Sequence, residues 1–305
     1  PVEMASGGLD ISWIPLKASL KNVRLRAKTP DELGFNMARV NLLEARVDAL
    51  QLLTGRLALS VLLLEDVAAE VNLDPHLKGS GPTPEIPWDQ IFKITEQIPV
   101  RSLAVRNVNL SLHSKKTDFE IGIKDLAARL TLRSNRINLE LQSAESSARF
   151  RDLSSPWQLG AQALITPTEI EITQFRLTAG RQGLDASGML TDTRELLRAP
   201  RGQMQIDTKL SLPEIRAALP PAWGVPDLLG EVDLGASLEL RGKKLPIGNF
   251  KLATRGVFIH ESEVGNVEAQ GKFDGRSLDL PTLSITQTAG RADLTGGRAE
   301  FSEPN

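Results

Sequence analysis

Apolar and polar residues alternate along most of this chain, the period-two pattern of strands with one dry and one wet face. Between residues 57 and 73 the odd positions read Leu57, Leu59, Val61, Leu63, Glu65, Val67, Ala69, Val71 and Leu73, while Ser60, Asp66, Glu70 and Asn72 occupy even ones. Residues 118–141 alternate in shifting phases: Phe119, Ile121 and Ile123, then Leu126, Ala128, Leu130 and Leu132, then Ile137, Leu139 and Leu141. A one-residue slip inverts every side chain of a strand, so a bulge or tight turn must separate these blocks.

The slips share a local signature. It occurs as Leu20-Lys21-Asn22-Val23, Leu64-Glu65-Asp66-Val67, Val105-Arg106-Asn107-Val108, Ile123-Lys124-Asp125-Leu126 and Thr254-Arg255-Gly256-Val257. Most of these set an apolar residue, a charged one, then Asn, Asp or Gly, then a second apolar residue. Asn, Asp and Gly best tolerate the positive φ that bulges and turns demand, which predicts such irregularities at Asn22, Asp66, Asn107, Asp125 and Gly256. A longer repeat joins them: residues 170–178 precede Ala179-Gly180-Arg181, and the similar residues 278–286 precede Ala289-Gly290-Arg291. Repetition at this scale suggests a chain built by adding similar hairpins.

Helices are few. Residues 87–98 place Trp88, Ile91, Phe92, Thr95 and Ile98 along one face, after a Gly/Pro-rich stretch at 79–84. Shorter helices are expected at 48–53 and 213–219, the latter stopped by Pro220-Pro221. The chain therefore reads as a first strand segment at 1–78, a loop and amphipathic helix at 79–99, and a long strand-rich continuation at 100–305 with a soft boundary near 220–226. Strands of ordinary length would number roughly 18–20 in a chain of this size. Open twisted sheets rarely exceed ~10 strands without curling, splitting or closing, so a barrel, a sandwich, a solenoid or a strongly curled sheet is required. Periodicity does not choose among them.

Composition narrows the function. The chain has 305 residues, 41% of them hydrophobic and 24% charged, within the globular range. Lys and Arg total 36 against 38 Asp and Glu, and the basic residues are scattered singly or in pairs such as Lys115–Lys116 and Lys243–Lys244. A nucleic-acid binder would carry a basic stripe, so no nucleic-acid partner is expected. The absence of cysteine excludes disulfide scaffolds, zinc knuckles and thiol catalysis. No run approaches the ~18 apolar residues of a membrane span. The opening Pro1-Val2-Glu3 has no signal-peptide character, so the expectation is a soluble chain or one that starts after a removed signal or anchor.

Catalytic patterns are missing. His76, His113 and His260 are far apart in sequence and form no metal-ligand spacing. Ser187 lacks the glycine that a nucleophile elbow needs at position 185, which is Asp. Gly79-Ser80-Gly81 is not followed by the Gly-Lys of a phosphate loop. Asn109-Leu110-Ser111 matches a glycosylation sequon, a pattern too short to carry weight. Trp13, Trp88, Trp157 and Trp223 are dispersed rather than clustered as a stacking platform, and they read as core anchors. Neither an enzyme nor a metal or cofactor site is expected.

Residues 10–73 resemble the N-terminal region of the AsmA-like superfamily, which includes TamB. The likeness lies in residues 16–25 (Leu-Lys-Ala-Ser-Leu-Lys-Asn-Val-Arg-Leu), in Ala38-Arg39-Val40-Asn41-Leu42, in residues 52–59 and in residues 67–73. A second similar block is Leu212-Pro213-Glu214-Ile215-Arg216-Ala217-Ala218-Leu219-Pro220, followed by Leu229-Gly230-Glu231-Val232 and Leu238-Glu239-Leu240-Arg241-Gly242. Each pattern is degenerate alone; their order and spacing carry the likeness over nearly the whole chain. The resemblance implies a mainly β fold, a long, curled, mostly antiparallel sheet forming a taco-like apolar groove with a few short helices. It also implies a periplasmic protein that passes phospholipid between the inner and outer membranes of a Gram-negative envelope, with an Omp85-type outer-membrane protein as a further partner. Family members usually begin with one transmembrane helix, and TamB ends in a characteristic C-terminal domain. Neither is found in this sequence, so the resemblance implies an inner-membrane anchor outside this chain and a fragment or a shorter relative.

Physics makes a lipid role sensible. Each methylene exposed to water costs ~0.8 kcal/mol, so exposing a phospholipid's acyl chains costs well over ~10 kcal/mol. A continuous apolar trough removes most of that barrier without a catalytic residue. The alternation rows put forward Leu57, Leu59, Val61, Leu63, Leu110, Leu112, Ile121, Ile123, Leu130, Leu132, Ile137, Leu139 and Leu141 as its lining, chosen by apolarity alone. The rival expectation is a periplasmic scaffold for outer-membrane protein assembly, pairing through exposed strand edges; an enzyme or a carbohydrate-binding sandwich is a further alternative. An open apolar sheet face and a sealed two-sheet core are the observations that separate these readings.

Overall fold

The computed structural model describes residues 2–27, 35–56, 58–72, 100–114, 118–133, 135–150, 153–193, 196, 199–218 and 224–300. They form a mainly β protein with two short helices, and the chain divides into two compact units, Pro1–Pro167 and Thr168–Asn305. The expected helix at 87–98 and the soft boundary at 220–226 lie wholly or largely outside the described residues.

The first unit contains β1 (Val2–Ala5), β2 (Gly8–Trp13), β3 (Leu16–Ala27), β4 (Phe35–Val47), α1 (Ala49–Leu53), β5 (Leu59–Asn72), β6 (Ser102–Ser114), β7 (Phe119–Arg133), β8 (Arg136–Gln142), β9 (Ser146–Phe150) and β10 (Leu153–Ile165). β1 and β2 both pair with β3, and the ladder then runs through β4, β5, β6 and β7. The β5–β6 pair is parallel and the other pairs of this unit are antiparallel. β8 and β9 together act as one interrupted strand between β7 and β10, because each pairs with both of them. Two buried serines satisfy the backbone at the interruption. The Ser143 hydroxyl accepts from the Leu159 N–H at 2.9 Å, and the Ser146 hydroxyl accepts from the Lys124 N–H at 3.1 Å.

The second unit is an antiparallel meander in which each strand pairs with the next: β11 (Glu169–Ala179), β12 (Gln182–Thr191), β13 (Arg201–Ser211), β14 (Leu228–Arg241), β15 (Lys244–Ile259), β16 (Ser262–Phe273), β17 (Ser277–Gln287) and β18 (Gly290–Glu300). Between β13 and β14, α2 (Leu212–Ala218) packs on both. Its Glu214 accepts from the Arg181 N–H at 2.9 Å, tying the helix to the β11–β12 turn. The two Ala-Gly-Arg segments both join hairpin strands but differ in backbone, with Gly180 at φ +59° and Gly290 extended at φ +159°.

All five slip positions have positive φ: Asn22 (52°), Asp66 (53°), Asn107 (52°), Asp125 (48°) and Gly256 (56°). The register shows that they absorb the slips. Val105 and Val108, three apart, pair with Ala128 and Leu126, two apart, so Asn107 has turned the chain by the missing half-step. Val108 and Leu110, two apart, pair with Leu126 and Ile123, three apart, which assigns the same action to Asp125. On β3, β4 and β5 the slips run in lockstep, Leu20–Leu43–Leu64 on one side and Val23–Val40–Val67 on the other, so no register is lost. The Asp66 carboxylate accepts from the Asn107 side-chain amide at 3.0 Å, linking two slips across the sheet. A β-branched residue held in the left-handed region is strained by about 1–2 kcal/mol. Asn107→Val is therefore expected to lower stability by about that amount, and Asn107→Gly by no more than a few tenths, as denaturant melts of both variants will show.

Candidate functional site

Residues paired across neighbouring strands share a face, so the registers can be followed as rows across each unit. In the first unit one row reads Leu20–Leu43–Leu64–Val105–Ala128–Leu141–Ala161. Its neighbour, two residues along, reads Ala18–Ala45–Leu62–Leu103–Leu130–Leu139–Ala163. Beyond the slips the same face continues as Val23–Val40–Val67–Val108–Leu126, then Leu25–Ala38–Ala69–Leu110–Ile123, and then Val71–Leu112–Ile121–Ala148. Every residue of these rows is apolar. The slips exist because the sheet stays apolar on one face through a change of strand phase.

The second unit does the same without slips over most of its length. Its rows on the apolar face include Phe175–Ala186–Ile206–Ala236–Phe250–Gly271 and Leu177–Leu184–Thr208–Leu234–Leu252–Ala269–Leu283–Leu294, the second interrupted by the Thr208 hydroxyl, which donates to the Gly183 carbonyl at 2.9 Å. The row between them, on the opposite face, reads Arg176–Asp185–Asp207–Gly235–Lys251–Gln270–Thr282–Thr295. Glycines punctuate the apolar face where strands approach too closely for a side chain: a Cβ on Gly188, Gly202 or Gly248 would lie 2.1, 1.9 or 2.0 Å from a neighbouring carbonyl oxygen.

These faces are not sealed cores. The buried apolar residues of the second unit are Ile170, Ala199, Val257 and Ala269, and those on the apolar face of the first are Val23, Val40, Val108 and Ile137, while most of the other side chains in these rows are only half-buried. Within each unit the closest backbone approaches run between ladder neighbours. An apolar sheet face that stays partly exposed is able to take up an apolar ligand.

The opposite face is mainly polar and charged, although in the first unit it also holds Val61 and the buried Leu63 and Ala104. In the first unit Glu44, 4% exposed, accepts from Lys17 at 2.9 Å and from Arg46 at 2.6 Å, and the Lys17 hydrogen bond chiefly holds its carboxyl below the usual range. In the second unit a cleft of about 740 Å³ is lined by Asp185, Asp207, Lys251 and Asp293 and by Leu234, Leu252 and Leu283 of the row between them. Opposite charges close around it, with Arg176 on Asp185 at 2.6 Å and Arg255 on Asp233 at 2.9 Å.

The structure brings together Leu110, Leu112, Ile121, Ile123, Leu130, Leu132, Ile137, Leu139 and Leu141 on one face, with Leu110 paired to Ile123, Leu112 to Ile121, Leu130 to Leu139 and Leu132 to Ile137. Val61 and Leu63 fall elsewhere: they pair with Arg46 and Glu44 on the charged face. Leu59 pairs with Val47 across a register shift, and Leu57 lies outside the described residues. The residues of β5 that join the apolar rows before its slip are Leu62 and Leu64. The slip signature already held this information: Leu64 and Val67 flank Glu65-Asp66, and two apolar residues three apart around a left-handed residue share a face. The odd set is apolar on both sides of Asp66, but the half-step there leaves only Val67, Ala69 and Val71, after the slip, on the apolar face. The rows of the second unit, absent from the expected lining, were legible in the same alternation.

Trp13 is a further correction. It is 80% exposed and not a core anchor, at the end of β2 beside the β2–β3 turn. Trp157 is half-buried, and Trp88 and Trp223 lie outside the described residues. Among the described residues no cluster of three or more His, Asp or Glu side chains is placed to hold a metal ion, and no helix is long and apolar enough to cross a membrane. The chain matches no known protein-family model, and no curated protein matches it.

Proposed function

We propose that the apolar faces of the two units bind lipid acyl chains, and that the protein is a conduit for phospholipid in the periplasm of a Gram-negative envelope. The observation that supports this is the apolar rows that cross strand after strand, most of whose side chains remain half-exposed. Such a surface is costly in water, and lipid tails offset that cost at ~0.8 kcal/mol per methylene removed from water. The envelope setting, the inner-membrane anchor outside this chain and an Omp85-type partner follow from the resemblance to the AsmA-like superfamily. The αL slips support the reading too, since they keep one face apolar where the strand phase changes. A second reading, a scaffold that pairs with client strands, draws on β18, whose residues are exposed apart from Gly297 and which pairs with β17.

Extraction of the purified protein followed by lipid mass spectrometry is expected to recover phospholipid at a stoichiometric level. Protein that is free of lipid after purification, and that takes up no fluorescent fatty acid, would leave the scaffold as the better reading.

A further inference from the structure

One end of the first unit carries large apolar side chains that stay exposed among the described residues. The β2–β3 turn presents Trp13 at 80% and Ile14 at 95% exposure, and α1 presents Leu50 at 76% and Leu53 at 85%. Register places the two together, since Lys17, at the start of β3, pairs with Arg46, one residue before β4 ends and leads into α1. The helix has no buried residue, yet it is firmly held. Asp48 caps it by accepting from the Leu50 and Gln51 N–H groups at 3.1 and 3.3 Å, and Arg101 grips the same carboxylate at 2.9 Å. A capped helix that faces its leucines into water is shaped for an apolar partner.

The charge at this end identifies the partner. Residues 12–17, 44–60, 100–102 and 130–138 contain six cations, Lys17, Arg46, Arg56, Arg101, Arg133 and Arg136, against two carboxylates, Glu44 and Asp48. Both carboxylates are buried and engaged by Lys17, Arg46 and Arg101. Arg56, Arg133 and Arg136 are exposed. Tryptophan and leucine beside a rim of arginine is the composition of surfaces that settle into the headgroup layer of a bilayer, with the apolar tips below the phosphates and the cations among them. The apolar face reaches the same rim, where Trp13 pairs with Leu16 and Leu132 with Ile137.

We propose that this end of the first unit docks on the headgroup layer of an anionic bilayer. Docking does not require that the apolar face carry lipid, and the two ideas fail separately.

The test is flotation of the whole chain with vesicles of phosphatidylcholine alone or with about one-third phosphatidylglycerol. Wild type is expected to float with the anionic vesicles and to be released by salt. Leu50→Ser with Leu53→Ser, and separately Arg133→Glu with Arg136→Glu, should each reduce bound protein about tenfold or more. A charge reversal elsewhere, Lys243→Glu with Lys244→Glu at the exposed β14–β15 turn of the second unit, should float like wild type. Because the chain has no cysteine, a polarity-sensitive dye at Leu53→Cys can report insertion directly. Its emission should shift blue with anionic vesicles, whereas the same dye at Glu120→Cys, toward the other end of β7, should not shift. Wild type that stays with neither vesicle, equal flotation of the variants, or shifts at both dye positions would overturn docking. So would vesicle-independent self-association that Leu50→Ser with Leu53→Ser abolishes, because it would assign the leucines to a second copy of the chain.

Discussion

Leu139→Arg is expected to block lipid passage while leaving the sheet folded. Leu139 lies in the middle of an apolar row between Leu130 and Ala163, with Ile137 and Leu141 on either side along its own strand. An acyl chain cannot solvate a guanidinium, and an uncompensated charge against hydrocarbon costs several kcal/mol. Water drawn in to hydrate the arginine would interrupt the apolar path just as effectively. Either route predicts a loss of transport of about tenfold or more. Asn138→Arg is the matched control: Asn138 is exposed, pairs with Thr131 and faces the charged side, so it should be nearly silent. Photo-crosslinking to lipid and complementation of a strain that depends on the protein measure the effect, after circular dichroism has shown that both variants fold. Equal crosslinking and equal complementation by the two folded variants would refute the conduit.

Gly202→Ala is expected to destabilise the second unit by at least about 3 kcal/mol, a large share of an ordinary domain's stability. Gly202 sits at φ +138°, and an added Cβ would lie 1.9 Å from the Met189 oxygen and 2.9 Å from the Leu190 Cα. These are backbone atoms of the adjacent strand, so relief requires β12 and β13 to separate. Two controls separate clash from conformation. Gly296, at φ +78°, has open space around its would-be Cβ and should lose only about 1 kcal/mol on change to alanine. Gly160 has open space and no positive φ, and Gly160→Ala should be neutral or slightly stabilising. Thermal or urea melts rank the three. A Gly202→Ala protein as stable as Gly160→Ala would show that the strands are not pinned there.

Much of this molecule is local and was therefore legible in its sequence. Alternation marks strands because side chains in extended chain point to opposite sides with period two, and that depends on nothing distant. The slips were legible for the same reason. Asn22, Asp66, Asn107, Asp125 and Gly256 are residues that accept a left-handed backbone, and each stands where the apolar phase changes. The short helices were marked by their own ends, Asp48 before Ala49 and the prolines after residue 219.

What required the tertiary structure is pairing. Alternation divides a strand into two sets of residues without saying which set meets which neighbour, and β5, apolar on both sets before its slip apart from Ser60, marked the set that continues the row only through the slip itself. Its register against β4 decided the matter by setting Leu63 opposite Glu44 and Leu64 opposite Leu43. Pairing also made one strand of β8 and β9 through the hydroxyls of Ser143 and Ser146. It brought Trp13 and Ile14 to the same rim as Leu50 and Leu53, more than thirty residues later in the chain. Hydrogen bonds between strands join residues far apart in sequence, and the faces and ends they create exist only once those distant segments have met.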